Sequence, residues 1–131
     1  MTTLIVEDDF VNRLVLHKRL EQYGDVHIAV DGDEAVGAVE AMLESGGLYD
    51  LVCLDIMLPN MDGHEALRRI RAAEADVGYG SGQGSKIVMT PALKDSENVM
   101  NAFREEADGY LVKPIEAEAL EQQLRGLGLI E

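Results

Sequence analysis

The sequence predicts an α/β fold, an open, doubly wound, five-stranded parallel sheet with five helices. Three observations predict it. Short apolar runs of strand length alternate along the 131 residues with amphipathic runs of helical period. The alternation occurs five times, too few for an eight-stranded barrel. No linker and no internal repeat with a period of about 20–50 residues breaks it, so residues 1–131 read as a single domain.

Leu4-Ile5-Val6 is the first strand. Val11, Leu14, Val15, Leu16, Leu20 and Tyr23 then mark a helix that stops at Gly24. Val26, Ile28 and Val30 alternate as in a strand. Ala35, Val36, Val39, Met42 and Leu43 form the apolar stripe of a second helix. Leu51 to Leu54 is a strand apolar on both faces. Ala66, Leu67, Ile70 and Ala73 place a third helix, and Ile87-Val88-Met89 a fourth strand. Val99, Ala102 and Phe103 predict a helix with Asp95 or Ser96 as its N-cap. Tyr110-Leu111-Val112 is the last strand, and Leu120, Leu124 and Leu127 lie on the final helix. Between the third helix and the fourth strand runs the glycine-rich stretch Gly78 to Ser85. It does not match G-x-G-x-x-G and follows a helix rather than a strand, so it reads as a flexible loop and not a phosphate cradle.

Composition narrows the function. Apolar residues make up 47% and charged residues 27%, as in ordinary soluble globular domains. A net charge of −14 argues against nucleic-acid binding, which needs clustered Lys and Arg. There is no apolar run of about eighteen residues and no signal peptide, so no membrane role is expected and the location expected is cytoplasmic. Cys53 is the lone cysteine and reads as a small core residue in a reducing compartment. His17, His27 and His64 have no metal-ligand spacing and read as ordinary.

The informative residues sit where strands end. Ligands of open α/β sheets bind outside the carboxyl ends of the strands. Glu7-Asp8-Asp9 follows the first strand, Asp55 the third, Thr90-Pro91-Ala92 the fourth and Lys113-Pro114 the fifth. A lone carboxylate closing a buried strand is costly to desolvate, so Asp55 needs a cation or a partner. Converging carboxylates with few other ligands suit Mg²⁺, which keeps waters and takes one or two carboxylates plus phosphate oxygens. A carboxylate in such a setting can attack a phosphoryl group, with a metal ion and a fixed Lys stabilising the transferring charge.

Three motifs, in this order and spacing, carry a resemblance. They are Val6-Glu7-Asp8-Asp9, Leu54 to Gly63 (LDIMLPNMDG) and Asp108 to Pro114 (DGYLVKP). The chain resembles the response-regulator receiver domain of two-component signalling, in its stand-alone, chemotaxis-receiver-like form, over essentially its whole length. The resemblance implies a flavodoxin-like strand order 2-1-3-4-5. It implies Asp55 as phosphoacceptor, and Asp8, Asp55 and the Met57 backbone carbonyl as Mg²⁺ ligands with Glu7 acting through water. Lys113 would neutralise phosphoryl oxygens, Pro114 would follow a cis peptide, the Ala92 N–H would bind a phosphoryl oxygen, and Tyr110 would be the switch aromatic. The implied partners are a sensor histidine kinase or phosphotransfer protein upstream and a protein target downstream. That target would be met through the helix at 97–103, the fifth strand and the final helix. The chain would not be an enzyme beyond catalysing its own phosphorylation and slow dephosphorylation.

Two positions depart from the family pattern. Pro91 stands where Ser or Thr is usual, and alternation counted from it turns Thr90 to the opposite face, leaving Thr90 as a possible substitute only after a local shift. Glu106 stands where Gly commonly follows the fourth helix, a costly residue for a left-handed cap. A degenerate receiver or scaffold with weakened switching is therefore the second reading. An Asp-nucleophile phosphohydrolase is the third, disfavoured because Met57 stands where such enzymes carry a second Asp.

Overall fold

The computed structural model of the chain describes residues 1–92 and 106–131. Five parallel strands form one sheet in the order β2-β1-β3-β4-β5. They are β1 (Thr2–Val6), β2 (Asp25–Ala29), β3 (Leu51–Leu54), β4 (Lys86–Met89) and β5 (Gly109–Tyr110). Four helices are described, α1 (Phe10–Leu20), α2 (Gly32–Glu44), α3 (Gly63–Asp76) and α4 (Ala117–Gly126), with a short 3₁₀ turn over Glu21–Tyr23. The fourth expected helix, through Val99, Ala102 and Phe103, falls outside the described residues, as do its expected caps.

The strand order follows from burial. β1, β3 and β4 are the most apolar strands and occupy the centre, while β2 and β5 lie at the edges. Alternate residues of these central strands feed two cores. Leu4, Val6, Val52, Leu54, Ile87 and Met89 pack with Ala35, Val39, Leu67 and Ile70 of α2 and α3. Ile5, Leu51, Cys53, Val88 and Leu111 pack with Leu16, Leu20, Leu120 and Leu124 of α1 and α4. The period of two in each strand thus serves both faces.

Each of the first three helices begins on an aspartate. Asp9, Asp31 and Asp62 accept from the backbone N–H groups of Asn12, Glu34 and Glu65 at 2.9, 2.8 and 2.8 Å. These caps satisfy donors that the helix itself cannot pair. Gly24 ends the α1 segment at φ 144°, and a Cβ there would meet the Met1 carbonyl oxygen. β5 is shorter than Tyr110–Val112, because it pairs with β4 only through Gly109 and Tyr110 and then bends through an isolated bridge between Ala92 and Lys113. The glycine-rich segment lies at the amino end of β4, opposite the edge that carries the functional residues, and borders a cavity of about 400 Å³ lined in part by Arg71, Glu74 and Asp108.

Candidate functional site

The ladder continues one residue past the strand ends and builds the site. The Asp55 N–H donates to the Val6 carbonyl at 3.1 Å and the Thr90 N–H to the Leu54 carbonyl at 3.0 Å. Glu7, Asp55 and Thr90 therefore share one row across the sheet, continuing the register Val6–Leu54–Met89. Lys113 reaches the same place from beyond β5. Its Nζ lies 2.5 Å from Glu7 Oε1 and 3.1 Å from Asp55 Oδ1.

Glu7 and Asp55 are buried, whereas Asp8 is exposed. One carboxylate oxygen from each of the three lies within 4.8 Å of the others, a spacing that one cation can bridge. Asp8 is free for this because Asp9, not Asp8, caps α1. Asp55 is likewise no helix cap: its Oδ1 accepts from the Ile56 N–H at 2.9 Å, and Asp62 caps α3. Despite its closeness to Lys113, Glu7 Oε1 lacks a hydrogen bond of good geometry, so this is a charge contact rather than a directed bond. Burial above all, with the Asp55 charge adding and Lys113 opposing, holds the Glu7 carboxyl up at about 7. Burial also works against the charge on Lys113, but Glu7 and Asp55 together keep its ammonium above its ordinary value. The hard oxygen donors and the under-bonded Glu7 oxygen fit a small divalent cation.

The remaining expected residues are placed as follows. Met57 lies in the loop two residues after Asp55 and is 64% exposed. Ala92 is bridged to Lys113, whose N–H donates to the Pro91 carbonyl at 2.8 Å. Pro91 is buried and shares the parity of Met89. Thr90 shares the parity of Val88, the face opposite to that of Pro91, and its N–H is carried by the Leu54 carbonyl. Tyr110 on β5 is 55% exposed, and the Lys113–Pro114 peptide is cis. Leu93, next along the chain, is outside the described residues.

Two supporting residues escaped the sequence reading. Arg13 donates from Nη1 to the carbonyls of Glu7 and Asp8 at 3.1 and 3.3 Å, tying α1 to the acidic loop. Its place four residues after the capping Asp9 was the available signal. Gly63 brings the start of α3 against the Asp55 loop, with its N–H donating to the Ile56 carbonyl at 2.8 Å. A Cβ at Gly63 would lie 2.5 Å from the Asp55 carbonyl oxygen.

A parallel sheet of order 2-1-3-4-5, with clustered carboxylates and one half-buried lysine at its carboxyl edge, has the form of a signalling receiver. A family model described as the response regulator receiver domain matches residues 3–125, and the chain belongs to that family, the receivers of two-component signalling. It is 36% identical over 124 residues to the regulatory protein VanRB of Enterococcus faecalis, covering 95% of this chain and 50% of that protein. It is 32% identical over 114 residues to the osmosensing histidine protein kinase SLN1 of Saccharomyces cerevisiae, covering 86% of this chain and 9% of that one. The chain thus spans half or less of the length of these relatives. Among solved structures, the receiver domain of sensor histidine kinase PA1611 from Pseudomonas aeruginosa superposes with TM-score 0.77 at 29% identity, covering 97% of each chain. That structure holds a magnesium ion in its active-site cleft. A D1050A mutant of the receiver domain of the histidine kinase CKI1 from Arabidopsis thaliana superposes with TM-score 0.83 at 25% identity, covering 97% of this chain and 89% of that one. Among the described residues no helix is long and apolar enough to cross a membrane.

Proposed function

We propose that the protein is a phosphoacceptor, taking a phosphoryl group on Asp55 from the phosphohistidine of a sensor histidine kinase or phosphotransfer protein. The observation that carries this is the Lys113 ammonium, placed within 3.1 Å of Asp55 while the Glu7, Asp8 and Asp55 carboxylates converge within 4.8 Å. Glu7, Asp8 and Asp55, with the Met57 carbonyl, would hold Mg²⁺, which supplies charge neutralisation for the phosphoryl oxygens. Asp55 Oδ1 is engaged by Lys113 and the Ile56 N–H, so Oδ2 is the oxygen offered for attack. It bonds to phosphorus as the phosphorus–nitrogen bond of the donor breaks, and the imidazole leaves with the bonding pair. Lys113 and the Ala92 N–H would then hold phosphoryl oxygens. The exposed apolar side chains Phe10, Val11, Leu14 and Val15 on α1 begin two residues after Asp8 and offer the donor protein a surface beside the site. A downstream protein would be met at the β5 and α4 side, near the exposed Tyr110.

The chain acts as an enzyme only on itself. Met57, where Asp-nucleophile hydrolases carry a second acid, cannot move a proton, so turnover of the acyl phosphate is slow. Pro91, without a hydroxyl, favours the second reading of a receiver whose switching is weakened. Intact-mass measurement after incubation with acetyl phosphate and Mg²⁺ tests the main reading. One phosphate on the native chain and none on Asp55→Asn is the expected result. A labelled Asp55→Asn chain would assign the chemistry to another carboxylate.

A further inference from the structure

The backbone leaves the sheet at the acidic residues. The ladder toward β2 ends with the Glu7 N–H, which donates to the Ala29 carbonyl at 3.1 Å. Beyond it the Glu7 and Asp8 carbonyls accept from a single side chain, that of Arg13, whose Nη1 lies 3.1 and 3.3 Å from them. Arg13 is itself anchored in α1. Its own N–H donates to the Asp9 carbonyl at 2.9 Å, and Leu16 and Leu20 bury the same helix in the core. The Phe10 ring lies 5.6 Å from the guanidinium carbon, within reach of a cation–π contact. The guanidinium thus clamps a two-residue turn of backbone to a packed helix. The helix does not need the clamp in order to begin, because Asp9 caps it through the Asn12 N–H. What the clamp fixes is the backbone of the two residues whose carboxylates meet Asp55.

We propose that Arg13 is a positioning residue for the divalent cation, holding the Glu7–Asp8 backbone in the geometry that brings both carboxylates to Asp55 and so raising cation affinity without touching the cation. The inference rests on reading the carboxylate cluster as the Mg²⁺ site. Two effects of opposite sign meet at Arg13. Its charge stands beside a site for another positive charge and repels it. Its hydrogen bonds order the acidic turn before the cation arrives, so that binding need not do so. Positioning outweighs repulsion for two reasons. Arg13 is only half-buried, so water and salt screen its charge. Its Nη1 is aimed at peptide carbonyls, whereas Lys113 lies against the Glu7 and Asp55 carboxylates themselves. An arginine that acted by charge alone would weaken cation binding, and its removal would tighten it. The sign of the change therefore separates a positioning role from a bystander charge.

The experiment uses the full chain with Mg²⁺ alone as the probe. Affinity is read from the amide shifts of Asp8 and Asp55 in native, Asp8→Asn, Arg13→Met and Arg13→Lys chains, at low salt and at about 1 M salt, where charge repulsion is screened within about 3 Å. Arg13→Met keeps an apolar stem beside Phe10 and loses the donors. It should bind Mg²⁺ about tenfold more weakly than the native chain at both salt levels, the equivalent of about 1.4 kcal/mol. Arg13→Lys should recover most of that loss, because one nitrogen makes both bonds and a point donor can replace it. Metal-free Arg13→Met should keep the native amide signals of Val88 and Leu124 in the core, which separates the effect from misfolding. Equal or tighter Mg²⁺ binding by Arg13→Met would overturn the inference alone. Should that variant not fold, the native chain decides: the Arg13 Nη1 hydrogens should be protected from exchange before Mg²⁺ is added and remain so at saturation, and loss of that protection on binding would overturn the clamp. If native and Asp8→Asn chains respond to Mg²⁺ alike, the metal reading itself fails and this inference falls with it.

Discussion

Cys53 and Glu7 show how one sheet gives two of its residues opposite chemistry. Cys53 is two residues before Asp55 on β3, yet it points into the core of α1 and α4, where burial pushes its thiol up to about 12. The thiolate is the reactive form, so Cys53 should resist alkylation in the folded protein at neutral pH. A thiol reagent should label it only as the chain unfolds in denaturant; rapid native labelling would refute the assignment. Glu7, at the rim, has a carboxyl raised to about 7 from the ordinary 4.5, with burial the foremost cause. A group whose folded value is raised stabilises the fold fully below its unfolded value, and that contribution is lost as pH rises through the folded value. Metal-free protein should therefore lose stability between about pH 4.5 and pH 7, and Glu7→Gln should flatten that decline in thermal melts. An equally steep decline in the variant would place the titrating group elsewhere.

At the scale of the element, the loop between β3 and α3 is decided by close approach. Gly63 opens α3 against the backbone of Asp55 and Ile56, and added atoms there would meet peptide groups that cannot yield. Gly63→Ala should cost about 1–3 kcal/mol by overpacking and should also displace the Asp55 carboxylate. Gly37, inside α2, is the contrast, because a Cβ there meets nothing within 4 Å. Gly37→Ala should stabilise by about 0.5–1 kcal/mol, the usual difference in a helix interior. Denaturant midpoints of the two variants should move in opposite directions, and a parallel movement would show that the contact at Gly63 is not the constraint. A second feature belongs to this scale. Arg71 of α3 donates to Glu74, to the Ser85 and Glu106 carbonyls and to Asp108, tying the end of α3 to the starts of β4 and β5. The position at Glu106, expected as a poor helix terminus, is thus held from outside by a guanidinium.

Across the whole molecule, net charge would be coupled to the proposed metal site. A net charge of −14, with three carboxylates drawn to within 4.8 Å, sets like charges against one another in the folded state. A divalent cation held at that cluster would bind the folded chain and not the unfolded one. Mg²⁺ at ten times its dissociation constant should then raise stability by about 1.4 kcal/mol. The melting temperature should rise with Mg²⁺ in native protein and much less in Asp8→Asn. An equal rise in both would attribute the effect to general screening.

The sequence by itself determined the alternation of strands and helices, the two-sided burial of β3 and the gathering of Glu7, Asp8, Asp55 and Lys113 at strand ends. These are local properties: period, composition and the residue that closes an apolar run can all be read along one stretch of chain. The resemblance to the receiver family implied the strand order, which periodicity alone leaves open. What only the tertiary structure decided is lateral. Asp9 rather than Asp8 caps α1, because the ladder fixes where the helix starts. Thr90 stands in the row of Asp55, because parallel register depends on which residues of separate strands face each other. Arg71 meets Asp108, 37 residues away, because two loops return to the same edge of the sheet. No one-dimensional pattern encodes these pairings, since they are chosen by the packing of whole elements against a shared core.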